Sequence, residues 1–390
     1  MISVAQALAH IFDLVAPLPG EEVALAEAAG RVLATPVIAR RDQPPFPASA
    51  MDGYAVTGAD ARPGALLRVI GTSAAGRRFD GSLGPGQAVR IFTGAPVPPG
   101  AERVVIQENV TRDGDTITLG DPLDASTHIR RRGADFAVGE RLVAPRRLSP
   151  ADLALAAAMN VPGLTVHRRP EVAIIATGDE LVMPGESPGP DQIIASNGFA
   201  LKAMVEAEGA TARLLPIARD TEASLKTVFA LAEGADLVLT IGGASVGDHD
   251  LVGQVAAELG LEQMFYKVAM RPGKPLMAGR MGGAAMIGLP GNPVSALVCA
   301  QVFVLPALRA MQGLPAVPAP RVTGILASDL PANGPREHYM RARLSGGRLA
   351  PFEYQDSALL TVLSQARALV IRPPDDGPRK TGDKVEYLPL

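Results

Sequence analysis

The sequence predicts a multidomain α/β plus β protein, and three observations carry that prediction. Three buried-strand patterns, Val172 to Ala176, Asp236 to Ile241 and Ala284 to Leu289, each run into a turn of small or polar residues. Between 170 and 312 strand-like and helix-like segments alternate, which argues for right-handed βαβ units in one sheet. The segments 63–120 and 321–390 are short apolar runs broken by Gly and Pro, the mark of small β-rich modules. Doubly wound sheets bind ligands at the carboxyl edge of their strands, so the three turns mark a candidate site. A phosphorylated small molecule is the first substrate class to consider.

Each element has a local cause. Ser3 and Gln6 have capping-box spacing, and Leu8, Ile11, Phe12 and Val15 share one helical face, which predicts an N-terminal helix. That segment has no basic n-region and no cleavage pattern, so a cytoplasmic protein is expected. In the first β-rich module, Leu66 to Ile70, Ala88 to Phe92, Arg103 to Ile106 and Thr116 to Leu119 read as strands, and Asp113-Gly114 as a hairpin turn. Ser149-Pro150-Ala151-Asp152 opens an Ala-rich helix running to about Asn160. After Ile241, Gly242 to Asp250 is a loop whose small residues let backbone N–H groups approach a phosphate before a helix begins near Asp250. After Leu289, Asn292 suits an N-cap and Pro293 the first helical position, where a missing N–H does no harm. The apolar run Val294 to Leu308 is interrupted by Ser295, Gln301 and Pro306, and is expected to be too short and too polar to span a bilayer. Pro315, Pro318 and Pro320 form a stiff connector to a C-terminal module with strands at Tyr339 to Leu344 and Ala368 to Ile371.

Composition narrows the function classes. Of 390 residues 47% are apolar, ample for packed cores, and the net charge of -3 gives no overall reason to bind nucleic acid or an anionic membrane. Any anionic ligand must be held by a local cluster. The single cysteine, Cys299, excludes an internal disulfide and fits a reducing compartment; inside an apolar helix it reads as a core thiol. Histidines 10, 128, 167, 249 and 338 show no paired metal-ligand spacing.

Eight peptides, in order, carry a resemblance. They are Ser49 to Val56, Ile91 to Pro98, Arg132 to Asp135, Thr177 to Leu181, Ser196 to Gly198, Gly242 to Asp250, Lys267 to Pro275 and Gly288 to Ser295. Together they resemble the molybdopterin molybdenumtransferases, the MoeA family that includes the E domain of gephyrin. The resemblance implies a homodimer of four-domain subunits. Domain I is discontinuous (1–44 with 141–168) and acts as a linker and dimerisation unit, and the β-rich domain II (45–140) is inserted into it. Domain III (169–318) is an α/β molybdopterin-binding domain of the MogA/MoaB-like type, and domain IV (319–390) a small C-terminal β barrel. The implied reaction is insertion of molybdate into adenylylated molybdopterin with Mg2+-dependent release of AMP. A molybdopterin adenylyltransferase would act upstream and molybdoenzyme maturation factors downstream, with no nucleic acid or membrane involved.

Such chemistry must hold several anions at once, so it needs cations, aligned N–H donors and carboxylates for a hard cation. Matching positions make Asp52, Thr93, Asp135, Glu180, Asp220, Asp250, Lys267 and Arg271 the catalytic candidates, with Asp52, Glu180 and Asp250 as magnesium ligands. Asp248 is a further acidic position, which as a helix cap would need no other role. Cofactor-binding candidates are Thr177, Gly178, Ser196, Asn197, Gly242, Gly243, Ser245, Gly247, Lys274, Pro275, Asn292, Ser295, Arg341 and Ser357. Ser196, Asn197, Asn292 and Ser295 also read as ordinary helix caps, a role compatible with anion binding. Many relatives carry lysine at the position of Arg271, whose planar fork binds differently from a point charge. Relatives more often have glycine before the serine at 357, where this chain has Asp356.

Two other functions stay in view. Domain III alone resembles molybdopterin adenylyltransferases, which would not need the Asp52 and Thr93 segments. A gephyrin-like scaffold or cofactor carrier would share the fold but has no physical need for clustered carboxylates and a basic loop.

Overall fold

The computed structural model describes residues 1–242 and 251–390. Its central layer is a six-stranded sheet in the order Thr211–Leu214, Glu171–Ala176, Leu237–Ile241, Ala284–Leu289, Met277–Met281 and Leu261–Tyr266. The first four strands are parallel, and Met277–Met281 runs the opposite way, antiparallel to both Ala284–Leu289 and Leu261–Tyr266. The switch has a covalent reason. Only Gly282 and Gly283 separate Met281 from Ala284, too short a link for a crossover, so those strands form a hairpin. Both faces of the sheet are buried. Val172, Ile174, Leu237 and Leu239 face one core, and Ala173, Ile175 and Val238 the other, as the two-residue period of a strand requires.

Helices Asn197–Ala207 and Pro293–Cys299 cover the first face, and Glu222–Ala230 and Leu251–Glu258 the second. Strand 171–176 is flanked by 211–214 on one side and 237–241 on the other, so the order reverses between Ala176 and Ile241. A crevice at that switch point is where such sheets take ligands.

The apolar run after Asn292 departs from expectation. It continues from Pro293–Cys299 through a π-helical stretch, Ala300–Val304, into Leu305–Met311, giving one helical rod of 19 residues. The widened turn accommodates Pro306, whose ring and missing N–H would break a regular α-helix. By length and composition the rod could cross a membrane, so the expectation that it is too short and too polar does not hold. Its 83% burial within the chain is what marks it as a core helix.

The N-terminal helix Val4–Leu14 has the expected capping box, Ser3 with Gln6. Its buried face, Val4, Ala7, Leu8, Ile11 and Leu14, belongs to the first core of the α/β layer, and Ile2 bridges Val268. Residues 20–33 instead join residues 146–167 in a four-stranded sheet, backed by the helix Pro150–Ala158 with its capping box of Ser149 and Asp152. Val37–Ile38 pairs with Arg141–Leu142, so the chain leaves and returns along one paired stem. Beyond the stem lies a six-stranded sheet, Arg103–Ile106, Gly53–Val56, Gln87–Ile91, Leu66–Ser73, Thr116–Leu119 and Val110–Asp113, with the expected hairpin at Gly114.

The C-terminal strands Glu337–Ser345, Arg348–Pro351, Val322–Leu326, Lys384–Pro389 and Ala368–Arg372 close on themselves through the pairing of 337–345 with 368–372. This is the expected small barrel, and it has five strands. Tyr339, Leu369, Ile371 and Leu388 on its outer face share the first core of the α/β layer.

Candidate active site

A cavity of about 660 Å³ opens at the switch point. Its floor is the three strand ends, Ala176-Thr177, Ile241-Gly242 and Pro290-Gly291, and its walls are Glu180, Leu181, Ile193 to Gly198, Pro275, Asn292 and Pro293. Ala358 of the barrel completes the rim. Of the residues read from the sequence, Thr177, Glu180, Ser196, Asn197, Gly242, Pro275 and Asn292 therefore meet here. Gly243, Ser245, Gly247, Asp248 and Asp250, and with them the expected phosphate loop, lie outside the described residues.

Local bonding fixes the walls. The Thr177 N–H and hydroxyl both donate to the Ile241 carbonyl, at 3.0 and 3.2 Å, stitching the two strands across the switch. Asn197 Nδ2 donates to Gly291 O at 2.7 Å, joining the start of helix 197–207 to the 290–292 turn. Ser196 and Asn292 occupy N-cap positions, but neither side chain makes a capping bond, so the expected caps are positional only. Ser295 is buried inside the first turn of its helix. That helix start is closed from the barrel side, where the Val294 N–H donates to Ser357 O at 3.0 Å.

Glu180 sits on a turn shaped by Gly178. At φ +142° Gly178 adopts a backbone that side chains disfavour, and a Cβ there would lie 2.4 Å from Glu180 Oε2. The missing side chain lets the carboxylate fold back over its own turn. Asp220 is brought to the same turn, its N–H donating to Asp179 Oδ1 at 3.1 Å.

Lys267, Arg271 and Lys274 share a loop, as expected, but the cavity wall takes only Pro275 from it. Lys267 stacks over the Tyr266 ring and is held at φ +74°. Arg271 pairs in register with His338 on the barrel and remains exposed. Near the rim, Arg341 is 1% exposed, and its Nη2 has no hydrogen-bond partner. Its Nε donates to Gln355 Oε1, and its Nη1 to the carbonyl of Leu359, next to rim residue Ala358. Burial pulls its pKa down, opposed by the charge of Asp356. An incompletely paired, buried guanidinium is unfavourable unless an anion completes its shell.

Asp52 and Thr93 lie elsewhere, on the inserted sheet. One oxygen of Asp52 accepts the Thr93 N–H at 2.7 Å and the Thr93 hydroxyl at 2.8 Å, and these two bonds, the N–H first, hold its carboxyl below the usual range. Asp135 is exposed where the chain returns to the stem, its N–H donating to Gln43 O. Neither Asp52, Thr93 nor Asp135 lines the cavity of its own chain. Among the described residues no three His, Cys, Asp or Glu side chains converge as a metal site. Cys299 is buried, and burial drives its thiol pKa up, as expected of a packed core group.

Models of three protein regions match in succession: the MoeA N-terminal region (domain I and II) over residues 2–160, a probable molybdopterin binding domain over 173–310, and the MoeA C-terminal region (domain IV) over 323–390. A protein of Nostoc sp. named molybdopterin molybdenumtransferase is 38% identical over 355 residues, covering 87% of this chain and 81% of its own. The chain belongs to the MoeA family. A Mycobacterium tuberculosis member, molybdopterin molybdenumtransferase 2, is 37% identical over 369 residues, with 90% of this chain and 91% of that protein covered. The crystal structure of the molybdopterin biosynthesis MoeA protein from Pyrococcus horikoshii superposes with a TM-score of 0.83 at 31% identity, covering 100% of this chain and 99% of that one.

Within this member of the family, sequence reasoning missed Ile193, Ile194 and Ala358 of the cavity wall, and the pair Asp179 and Arg219 that shape the Glu180 turn. Ile193 and Ile194 carried no signal beyond an apolar pair. Arg219 stands next to Asp220 in the chain, and only that adjacency pointed to it.

Proposed function

We propose that the protein is a molybdenum insertase of molybdenum cofactor biosynthesis that acts on adenylylated molybdopterin. The two dithiolene thiols displace one oxo ligand of molybdate, their protons leaving with that oxygen as water, and a water molecule cleaves the phosphoanhydride, so that AMP leaves and the phosphate stays on the pterin. The observation that carries this reading is the buried Arg341, which has an unpartnered nitrogen and is bonded to Leu359, the chain neighbour of the cavity-rim residue Ala358. A site for molybdate needs a cation there, and the chain's net charge of -3 cannot supply one at a distance. On this reading Arg341, Arg271, Lys267 and Lys274 attract and orient the anions, while Ser357, Ser295 and Asn292 contribute polar groups around the helix start. Thr177, Gly178, Ser196, Asn197, Gly242 and Pro275 hold the pterin phosphate portion.

Magnesium is bound by one or two carboxylates together with substrate phosphates, so a single wall carboxylate suits it. Glu180 is that carboxylate in this chain, and the ion, when bound, would neutralise charge on the phosphoanhydride. Asp52, Thr93, Asp135 and Asp220 complete the catalytic set. Because Asp52 and Thr93 lie outside the cavity of their own chain, the reading takes the protein as a homodimer in which the inserted sheet faces the partner's cavity. It divides the chain into domains at 1–44 with 141–168, 45–140, 169–318 and 319–390, supported by the sheet that joins residues 20–33 to 146–167. It places the protein in the cytoplasm, between an adenylyltransferase and the factors that load molybdoenzymes.

The test is to incubate the purified protein with adenylylated molybdopterin, molybdate and magnesium, reading AMP and metal-bound pterin together. Both should appear in step. AMP release without metal insertion would sink the reading.

A further inference from the structure

Arg219 belongs neither to the cavity wall nor to the catalytic set, yet its contacts converge on the turn that carries Glu180. Its Nη1 donates to the carbonyls of Gly178, Asp179 and Leu181, at 3.3, 3.1 and 2.8 Å. Three carbonyls within four residues thus point at one nitrogen, which folds the turn around the guanidinium. Two further bonds anchor the same region: Gly178 N–H to Ala218 O at 3.1 Å, and Asp220 N–H to Asp179 Oδ1 at 3.1 Å. The Arg219 N–H donates to Ser224 Oγ at 2.9 Å, seating the arginine on the start of helix Glu222–Ala230.

The choice of acceptors matters. Arg219 gives its side-chain bonds to neutral carbonyls and none to the Glu180 carboxylate, which forms no ion pair among the described residues. A direct ion pair would lock the carboxylate but neutralise it. Tying the carbonyls instead fixes where Glu180 points while leaving its charge for a ligand.

We propose that Arg219 is a positioning residue that sets the Gly178–Leu181 turn and thereby holds the Glu180 carboxylate at the cavity wall. This rests on the reading that Glu180 acts on the phosphate portion of the substrate through magnesium. Arg219 touches no substrate itself.

The experiment is a double-mutant cycle of Arg219→Ala and Glu180→Ala in the full chain. It is read by insertion rate, by calorimetric binding of AMP with and without magnesium, and by melting temperature. Each single variant is expected to lose about ten- to hundredfold in rate, the scale of a lost charge-assisted contact, and most of the magnesium-dependent gain in AMP binding. The double variant should lose no more than Glu180→Ala alone, since a positioning residue has nothing left to position. Arg219→Lys, which keeps the charge but not the fork, should stay folded and recover part of the magnesium effect; it serves as the decisive variant if Arg219→Ala does not fold. Wild-type behaviour of Glu180→Ala overturns the role of Glu180 and this proposal with it. An impaired Glu180→Ala beside a normal Arg219 variant, or fully additive losses, overturns the positioning role alone.

Discussion

Thr93 grips a single oxygen of Asp52 twice, through its N–H at 2.7 Å and its hydroxyl at 2.8 Å, and among the described residues the other oxygen accepts no hydrogen bond. One edge of the carboxylate is thus fixed by the protein and the other is presented outward. Arg90 braces the same turn from behind, donating to Gly53 O at 3.0 Å while stacking over Tyr54 and Phe92. A side chain that merely ended a turn would need none of this.

Asp52→Ala should therefore slow insertion by at least about tenfold while leaving the melting temperature nearly unchanged, because the residue buries little apolar area. Thr93→Val removes the hydroxyl but keeps the N–H, which is the larger cause of the lowered pKa. A carboxylate titration followed by NMR should show Asp52 moving part of the way back toward its ordinary value. An unmoved pKa would mean that the hydroxyl contributes nothing.

If each cavity is completed by a partner subunit, two inactive variants should rescue each other. Asp52→Ala mixed with Glu180→Ala, under conditions where subunit exchange is demonstrated by mass spectrometry, should regain about a quarter of wild-type activity per site at most, since only one of the two sites in a heterodimer is intact and only half of random pairs are heterodimers. Exchange without any return of activity would show that the site belongs to one chain.

What the sequence makes legible depends on distance along the chain. Ser3 with Gln6, Ser149 with Asp152, and the Asp113-Gly114 hairpin are interactions over a few residues, and each formed as its residue types dictate. The strand ends at Ala176, Ile241 and Leu289 were legible because a sheet buried on both faces leaves continuous apolar runs that stop at turns. Arg219 reaching the carbonyls of 178–181, and Ser357 closing on Val294, join segments whose proximity only the folded sheet and barrel create. The fate of Asn292 shows the same limit: its type suits a cap, yet the side chain was left without a capping bond. Pro306 reads as an interruption in the sequence, because nothing local announces that a π-helical turn will absorb it.

Arg271 should act on anion binding rather than on folding, since it is exposed on its loop. Arg271→Ala should weaken molybdate or pterin binding by roughly 1.5 to 3 kcal/mol, about a ten- to hundredfold change, and Arg271→Lys should restore much of it. Titrations at two ionic strengths should show the difference between wild type and the Ala variant shrinking with salt. Unchanged affinity in the Ala variant would assign Arg271 to a solvated face.

His338 gives a pH dependence with a definite sign. It is 7% exposed, and burial first, then the charges of Arg271, Arg372, Arg341 and Arg336, bring its pKa from 6.5 down to about 4. The folded chain thus keeps it neutral where the unfolded chain would bind a proton. Its contribution is fully present above pH 6.5 and is lost as pH falls from 6.5 toward about 4, an effect of up to roughly 3 kcal/mol. Denaturant melts between pH 7 and 4 should show this slope in wild type and a shallower one in His338→Gln. Equal slopes would rule out His338 as the source.

The loop that carries Arg271 and Lys274 has a fixed point at Gly273, and changing it should separate backbone strain from packing. Gly273 sits at φ +105°, and a Cβ there would lie 2.4 Å from Cys299 Sγ, which is buried in the helix beginning at Pro293. Gly273→Ala meets both obstacles, so the variant should lose on the order of 1 to 3 kcal/mol from backbone strain and more from the contact. The sulfur has little room to give way, since it lies 3.9 Å from Met270 Sδ and from the Gly273 carbonyl. Adding Cys299→Ala removes the sulfur but not the strain, so the double variant should recover part of the lost stability and no more. Because Lys274 and Pro275 follow directly, the single variant should also need more molybdate for half-maximal insertion, and relief of the contact should lower that requirement again. If Cys299→Ala restores stability but leaves the molybdate requirement raised, the backbone at 273, rather than its seat against the helix, sets the position of the basic loop.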